Sequence, residues 1–216
     1  MSRPEVKICG VNSPEAADAA ARHGARYAGL VFYPPSPRSV DKAQAAMLAR
    51  HLPEGVLKVG LFVDPDDSLL GEILQQVPLD MIQLHGSEPP KRVAEIRSAH
   101  GRPVMKAVKV AKHEDLEQVA EYEFAADMIL FDAKAPKSMT NALPGGNALS
   151  FDWRLLAGRK GRLPWMLSGG LNADNLAEAV SISQAPAVDV SSGVEDSPGK
   201  KNPDLIRAFL EKARSL

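Results

Sequence analysis

The sequence predicts a single-domain (β/α)₈ barrel, also called a TIM barrel, over residues 1–216. Eight short apolar runs rich in β-branched residues recur along the chain, and segments of helical character separate them. Strands that alternate with helices pair in parallel, because each crossover returns the chain to the same end of the sheet. The 216 residues give about 27 for each of eight units, whereas typical barrels total about 250 residues. We therefore expect a compact barrel with little decoration.

The eight predicted strands are apolar runs, most of which end in glycine or another turn-forming residue. In chain order they read EVKICG, YAGLVFY, LKVGLFV, DMIQLHG, PVMKAVKV, DMILFDA, PWMLSGG and AVDVSSG. An open doubly wound sheet is the alternative architecture. Its phosphate-binding fingerprint, GxGxxG, is missing from the first strand–helix turn, CGVNSPE. The barrel is therefore the favoured fold.

Two predicted helices carry apolar residues that recur on one face at 3.6 residues per turn. These residues are Leu69, Leu70, Ile73, Leu74 and Val77 in the third helix, and Leu205, Ile206, Phe209, Leu210 and Ala213 in the last. Three helix starts are predicted where a capping side chain precedes proline, at Ser13-Pro14, Asp64-Pro65 and Asn202-Pro203. A sixth helix is expected to follow the segment PGGNALSFDW.

Composition narrows the classes of partner. The chain has 26 Lys and Arg against 27 Asp and Glu, which gives no broad electrostatic reason to expect nucleic acid or an anionic membrane. A small or medium-sized molecule fits better. The opening MSRPEVKICG lacks the apolar core of a signal peptide, and runs such as AGLVFY are too short to span a bilayer. A single cysteine forms no internal disulfide, so we expect a cytoplasmic protein. The oligomeric state stays undetermined, with a slight preference for a monomer.

Polar or reactive residues stand at the carboxyl ends of the predicted strands, where barrel enzymes hold their active sites. They are Cys9, Gln83, His85, Asp132, the run Ser168-Gly169-Gly170 and the run Ser191-Ser192-Gly193. From its local sequence alone, Cys9 is more typical of a small buried core residue than of a reactive thiol.

A phosphate site is predicted after strands 7 and 8, where barrels commonly bind phosphate. Gly169 and Gly170 allow close backbone approach to an anion, and the helix capped near Asn172 would point its peptide N–H groups toward it. The turn at Ser192-Gly193 would complete this cradle.

Asp132 ends an apolar strand and precedes the long loop KAPKSMTNALPGGNALS, which is a candidate lid. Apolar walls can raise the pKa of a carboxyl and make it a general acid. The alternative is a structural ion pair with Lys134 or Lys137.

Two further groups have open interpretations. Arg38, on the proline-stiffened turn YPPSPRSV, can bind a carboxylate or phosphate bidentately or simply be solvated. His85 beside Gln83 can face a ligand or be hydrogen-bonded inside the barrel. Too few His and Cys residues cluster at ligand spacing to predict a metal site.

Seven motifs occur in order between residue 6 and about residue 201: KICG, PPSPRSV, MIQLHG, FDA, PGGNALSFDW, LSGGLN and VDVSSGVE. Together they closely resemble the phosphoribosylanthranilate isomerase family. The resemblance implies a cofactor-independent isomerase of tryptophan biosynthesis. Its reaction would be the Amadori rearrangement of N-(5-phosphoribosyl)anthranilate to 1-(2-carboxyphenylamino)-1-deoxyribulose 5-phosphate.

The resemblance also assigns roles to residues. It implies that Cys9 is the general base, Asp132 the general acid and Arg38 the group that holds the anthranilate carboxylate. The remaining residues expected to bind substrate are Lys7, Gln83, His85 and Asp189, and those expected to bind phosphate are Gly169, Gly170, Asn172, Ser191, Ser192 and Gly193. Lys7 lies on the same side of its strand as Cys9. We expect a raised pKa for the acid and a lowered pKa for the base, because only the thiolate abstracts a proton.

Two positions depart from the family pattern. Ala148 stands where the family usually has glycine, which bears on closure of the loop more than on chemistry. Asn202 stands where the family often has aspartate, and both residues cap helices well.

Three other functions compete with this interpretation. Indole-glycerol-phosphate synthase would be expected to use a lysine, and a histidine-pathway sugar isomerase would use aspartates at the ends of strands 1 and 5. A catalytically silent phosphate-binding barrel would not need Cys9, Asp132 and Arg38 together. The sequence does not show whether the related histidine-pathway aminoaldose is also a substrate.

Overall fold

The computed structural model describes residues 3–136, 138–139 and 143–216. Within them, eight parallel strands close into a barrel in chain order. The strands are β1 (Glu5–Cys9), β2 (Tyr27–Val31), β3 (Leu57–Phe62), β4 (Met81–Leu84), β5 (Val104–Val110), β6 (Met128–Ala133), β7 (Trp165–Leu167) and β8 (Ala187–Val190). Each lies inside one of the apolar runs predicted as strands. The predicted (β/α)₈ fold is therefore confirmed.

Helices cover the outside of this barrel. They are α1 (Pro14–Arg22), α2 (Lys42–His51), α3 (Asp67–Gln76), α4 (Pro90–His100), α5 (Val119–Tyr122), α6 (Leu176–Ser183) and α7 (Pro203–Arg214). The apolar stripes of α3 and α7 face the barrel, except that Leu69 and Leu205 in their first turns are each 38% exposed. In the part of the chain that the structure describes, every helix is too short or too polar to cross a membrane.

Two of the three predicted helix starts are confirmed, and one is wrong. Ser13 and Asn202 cap α1 and α7 with side-chain oxygens that accept peptide N–H groups of the first turn. Helix α3 is instead capped by Asp66, whose carboxylate accepts the N–H of Leu69 at 2.8 Å. Asp64 turns away from the helix, with a φ of 46°, and accepts the N–H of Ser87 at 2.7 Å. Its side chain therefore joins the loops after β3 and β4.

The helix predicted between β6 and β7, after the segment PGGNALSFDW, is also wrong. Between β6 and β7 the described residues hold a 3₁₀-helix, Trp153–Leu156, and no α-helix. Much of this connection is used by the long loop, and Gly158 then ends the 3₁₀ turn with a φ of 67°. The outer face of β6 is covered by the guanidinium of Arg159, 4.9 Å from the centre of the Phe131 ring.

The barrel interior is filled in layers by side chains that alternate along the strands. Its apolar part consists of Tyr27, Val59, Met105, Ala107, Met128, Leu130, Met166 and Ala187. Toward the carboxyl ends the interior becomes polar, with Lys7 and Asp189 opposite each other in the β1–β8 register. The site is thus built on the last residues of rigid strands.

A feature outside the eight repeats follows β8. Two short strands, β9 (Glu195–Ser197) and β10 (Lys200–Lys201), form an antiparallel hairpin before α7. No pattern in the sequence predicts this hairpin.

Candidate active site

One pocket opens at the carboxyl ends of the strands, with about 730 Å³ of space including its open mouth. The predicted site residues that line it are Cys9, Arg38, His85, Asp132, Gly169, Gly170, Asp189, Ser191 and Ser192. Four predicted site residues do not line it: Lys7, Gln83, Asn172 and Gly193. Tyr33 and Ser36, from the same turn as Arg38, line the pocket without having been predicted.

Lys7 lies below the pocket floor in a buried network with β7 and β8. Its ammonium donates to Asp189 Oδ1 at 2.8 Å, and the hydroxyl of Ser168 donates to Asp189 Oδ2 at 3.0 Å. Burial disfavours the charge on Lys7, but the Asp189 carboxylate and the Cys9 sulfur outweigh it, and the pKa of Lys7 lies above its ordinary value. Lys7 therefore remains a cation beside Cys9.

The Cys9 thiol has a raised pKa, because burial outweighs the opposing charges around it. The ammonium groups of Lys7 and Lys201 lower the pKa, whereas the Asp189 carboxylate raises it. The expectation of a lowered thiol pKa is thus wrong for the protein without substrate, although the expected influence of Lys7 is present. The physical reason is that the side chain is buried at the pocket floor, where water cannot solvate a thiolate.

Asp132 accepts hydrogen bonds from two directions. Its Oδ1 accepts the Ala133 N–H at 2.9 Å, and its Oδ2 lies 3.1 Å from His85 Nε2. On the other side of the imidazole ring, His85 Nδ1 lies 2.9 Å from Gln83 Nε2. Gln83, His85 and Asp132 thus form a buried row, and Oε1 of Gln83 has no hydrogen-bond partner within the described residues.

The alternative ion pair for Asp132 is not found with Lys134. The ammonium of Lys134 instead contacts Asp115 Oδ1 at 2.6 Å, outside the pocket. Lys137, the other candidate partner, lies outside the described residues.

Arg38 is buried and already paired. Its Nε and Nη2 donate to the two carboxylate oxygens of Glu195 at 2.8 and 2.9 Å. Lys201 donates to Glu195 Oε1 at 2.6 Å and to the carbonyl oxygen of Ser191 at 2.9 Å. Glu195 ends the motif VDVSSGVE, whose pattern predicts no role for it, and the hairpin of β9 and β10 brings Lys201 to it.

Two adjacent turns form the predicted phosphate corner. Gly169 and Gly170 have φ values of 91° and 63°, which favour glycine. The peptide N–H groups of Gly170, Leu171, Ser192 and Gly193 donate to no acceptor among the residues that the structure describes. Unpaired N–H groups in the turns after β7 and β8 suit an anion, and Gly170, Leu171 and Ser192 line the pocket.

Asn172 closes the turn beyond this corner. Its side-chain oxygen accepts the N–H groups of Asp174 and Asn175 at 2.9 and 3.0 Å. Helix α6 begins only at Leu176. Asn172 thus supports the turn and does not itself begin the helix.

Residues 143–149 of the long loop lie over the pocket. A methyl group on Gly145 would come within 2.7 Å of His85 Nε2 and 2.9 Å of Asp132 Oδ2, so this close approach requires glycine. The carbonyl oxygen of Gly146 accepts from Arg38 Nη2 at 3.3 Å. Ala148 has a φ of 56°, in the left-handed region where a side chain is strained. That conformation explains why glycine suits this position.

Fold and site together define a class: a (β/α)₈ barrel enzyme with a buried thiol, a buried carboxyl and an anion corner around one pocket. The sequence profile of the family described as N-(5'phosphoribosyl)anthranilate (PRA) isomerase matches residues 6–212. The chain belongs to this family and is an isomerase of tryptophan biosynthesis. The predicted family and the predicted enzyme class are confirmed.

Close relatives support the same assignment. The chain is 63% identical to the N-(5'-phosphoribosyl)anthranilate isomerase of Rhodospirillum centenum over 98% of this chain and 99% of that protein. It is 56% identical to the isomerase of the same name from Paracoccus denitrificans, over 96% of each chain.

Solved structures agree in fold along the whole chain. The phosphoribosyl anthranilate isomerase of Thermotoga maritima matches with a TM-score of 0.87 and 37% identity, over 99% of this chain and 100% of that chain. A second structure holds such an isomerase in complex with reduced 1-(o-carboxyphenylamino)-1-deoxyribulose 5-phosphate. It matches with a TM-score of 0.84 and 36% identity over the same shares.

Proposed function

We propose that this chain converts N-(5'-phosphoribosyl)anthranilate to 1-(2-carboxyphenylamino)-1-deoxyribulose 5-phosphate, with Asp132 as general acid and Cys9 as general base. The placement of these two groups carries the proposal. Both line one pocket, Cys9 from β1 and Asp132 from β6, and the ring order places β7 and β8 between them. A sugar phosphate whose phosphate binds after β7 and β8 would lie between the acid and the base.

Three anchoring points fit the three parts of this substrate. The unpaired N–H groups after β7 and β8 would bind the phosphate, and the ribose would lie between Cys9 and Asp132. Arg38 would take the anthranilate carboxylate, since a guanidinium matches a carboxylate in geometry and charge. The related isomerase bound to a reduced carboxyphenylamino-deoxyribulose phosphate supports a pocket that accommodates both anionic ends.

The first step opens the ribose ring. Asp132, in its protonated form, gives its proton to the ring oxygen while the C1–O bond breaks. The nitrogen lone pair forms a double bond to C1, and the product is a protonated Schiff base. Asp132 is left as a carboxylate, which His85 Nε2 at 3.1 Å and the Ala133 N–H at 2.9 Å can stabilise.

Gln83 and His85 would hold Asp132 ready for this transfer. The amide nitrogen of Gln83 faces His85 Nδ1, which assigns the ring proton to Nε2 and points it at an Asp132 carboxylate. The opposite amide orientation would let Gln83 Oε1 accept from Nδ1, and Nε2 would then accept from a protonated Asp132. The two orientations of one amide thus match the two protonation states of the acid. We assign Gln83 and His85 to positioning of Asp132, and His85 alone of the two also forms part of the pocket wall.

The second step removes the C2 proton. Cys9 acts as a thiolate and takes this proton, and the electron pair of the C2–H bond forms the C1–C2 double bond of an enolamine as the Schiff base accepts electrons. The buried Lys7 ammonium would stabilise the thiolate. In the ketonisation that follows, the C2 hydroxyl loses a proton and C1 gains one. The two steps together therefore need no external oxidant or reductant. The expectations of no cofactor and no metal stay predictions.

Fluorescence tests this proposal directly. Phosphoribosylanthranilate generated in situ should lose its anthranilate signal rapidly with the wild-type protein. Cys9→Ser and Asp132→Asn should each lower kcat by about 10²- to 10⁴-fold. Asp174→Asn, an exposed carboxylate removed with the same change of charge, is the matched control and should retain full turnover. A wild-type protein that leaves the substrate untouched would overturn the proposed function.

We also propose a cytoplasmic location, in line with the single, buried cysteine. The slight preference for a monomer stays a prediction, as does a small phosphorylated molecule as the sole class of partner.

A further inference from the structure

Glu195 holds the pocket-lining Arg38 from behind. It is not among the residues that line the pocket, yet its carboxylate binds two nitrogens of the guanidinium, Nε and Nη2. The two side chains are only 3% and 5% exposed. This is a buried, bidentate pair with two short charge-assisted hydrogen bonds.

The pair fixes the direction of the free guanidinium edge. A guanidinium is planar and has five N–H donors, so fixing Nε and Nη2 also fixes where Nη1 points. The remaining donors face the loop over the pocket, where the Gly146 carbonyl oxygen accepts from Nη2 at 3.3 Å. From below, Gly10 packs against the Arg38 stem so closely that a methyl group there would lie 2.8 Å from Cδ. The Arg38 side chain is thereby held at its guanidinium by Glu195 and at its stem by Gly10.

Lys201 adds a second positive charge to the pair of Arg38 and Glu195, and the three side chains form one buried cluster. It donates to Glu195 Oε1 at 2.6 Å, and its side chain is 1% exposed. Burial disfavours the charge on Glu195, but Arg38 and Lys201 outweigh it, and the pKa of Glu195 lies below its ordinary value. Arg38, Glu195 and Lys201 together therefore carry one net positive charge, which matches one carboxylate.

We propose that Glu195 is a positioning residue that determines selectivity for the aryl carboxylate of the substrate, by holding the free edge of Arg38 toward the pocket. This inference rests on the proposed function, in which Arg38 binds that carboxylate. Glu195 does not contact the substrate and acts through Arg38 alone.

If Glu195 acts by positioning Arg38, its variants should change carboxylate binding in the opposite direction from an effect of net charge alone. Glu195→Gln adds one positive charge to the cluster, so an effect of charge alone would tighten binding of an anionic group. Loss of positioning would weaken it. Lys201→Met removes one positive charge but leaves both hydrogen bonds between Arg38 and Glu195, so charge alone would weaken binding and positioning would preserve it.

The experiment compares two substrates, phosphoribosylanthranilate and the phosphoribosylaniline that lacks the carboxylate. The ratio of their kcat/KM values isolates recognition of the carboxylate, because general damage to the site affects both substrates. We expect Glu195→Gln to lower this ratio about tenfold or more, mainly through KM for the carboxylated substrate. Lys201→Met should keep the ratio within about threefold of the wild type. Asp196→Asn, an exposed carboxylate of the same hairpin, is the control of equal charge change and should leave the ratio unchanged.

An unchanged or increased ratio in Glu195→Gln, or a ratio lost in Lys201→Met, would overturn the inference. Should Glu195→Gln fail to fold, Glu195→Asp keeps the charge but shortens the side chain, and it should lower the ratio of kcat/KM values as well. A ratio equal to that of the wild type in Glu195→Asp would overturn the proposal. Arg38→Leu distinguishes a failure of the proposed function from a failure of the inference about Glu195. If this variant keeps the preference for the carboxylated substrate, the assigned role of Arg38 in the proposed function fails. If it loses the preference while Glu195→Gln keeps it, only the role of Glu195 fails.

Discussion

Lys7 and Asp189 form a salt bridge of 2.8 Å within the barrel, and the lysine side chain is fully shielded from solvent. Lys7 lies two residues before Cys9 on β1, and the two charges of the bridge act on the pKa of the thiol with opposite signs. The pKa of the Cys9 thiol therefore depends on the balance between a cation and an anion, in addition to the large effect of burial.

Opposite shifts of the pH profile should follow from removal of either partner. Activity requires the thiolate, so kcat/KM rises as pH rises through the thiol pKa. Lys7→Met removes a charge that lowers this pKa and should move the acidic limb to higher pH. Asp189→Asn removes a charge that raises it and should move the limb to lower pH. Steady-state profiles of both variants check this, and shifts in the same direction would contradict it.

The row formed by Gln83, His85 and Asp132 predicts a selective effect on kcat. Gln83→Met leaves His85 Nδ1 without its partner, at a cost of about 1–3 kcal/mol, or roughly a 5- to 150-fold fall in kcat. KM should change little, because Gln83 does not line the pocket. Gln118→Met, which removes a hydrogen bond to the Asp115 carbonyl oxygen away from the site, is the control. A rise in KM with unchanged kcat would instead indicate direct substrate binding by Gln83.

Ala148→Gly should tighten substrate binding. The φ of 56° at Ala148 is strained for alanine by about 1–2 kcal/mol, whereas glycine adopts it freely. Glycine also gives the loop more conformational freedom when it is away from the pocket, which costs about 0.4–1 kcal/mol of the free energy of closure. A modest stabilisation of the loop over the pocket therefore remains. We expect KM to fall about twofold to fivefold. Ala135→Gly, in the same loop without a positive φ, should give no such fall, and an equal fall in both variants would refute the explanation from strain.

The buried pair of Glu88 and Lys106 predicts a dependence of stability on acid pH. Burial disfavours the charge on Glu88, but the Lys106 ammonium, 2.8 Å away, and nearby peptide N–H groups outweigh it, so the pKa of Glu88 lies below its usual 4.5. Above pH 4.5 this group contributes its full stabilisation, which is lost as pH falls through the lowered pKa in the folded protein. Glu88→Gln should lack this dependence.

At neutral pH, Glu88→Gln also leaves the Lys106 ammonium buried without its counterion. The free energy of unfolding should fall by about 3–5 kcal/mol, measured by urea titration. Glu72→Gln, which breaks an exposed pair with Lys42, should change little. Equal losses in the two variants would show that burial does not decide the effect.

The sequence predicted those parts of the molecule that local patterns determine. Apolar runs predicted all eight strands, and the position of Cys9 and Asp132 at strand ends predicted their place in the pocket. The cap of α3 is not predicted correctly because Asp64-Pro65 matches the pattern of a cap followed by proline, whereas the helix begins at Asp67 and Asp64 instead contacts Ser87. Local sequence does not contain that long-range contact.

Long-range pairing also explains why the partner of Arg38 is not predicted from the sequence. Arg38 and Glu195 are 157 positions apart, and a hairpin without a clear sequence signal brings them together. The raised pKa of the Cys9 thiol cannot be predicted from the sequence for a similar reason. Strand alternation indicated that Lys7 shares a side with Cys9, but the extent of burial depends on the whole barrel.

Between β6 and β7 a 3₁₀ turn, Trp153–Leu156, stands in place of a helix, so the barrel wall is thin there. Where a helix would cover the outer face of β6, the guanidinium of Arg159 covers Phe131. The loop over the pocket and this thin wall belong to the same connection, and β6 also carries Asp132. Amide hydrogens of β6 should therefore exchange with solvent through local opening before the rest of the barrel unfolds, and catalysis on heating should fail before the fold does.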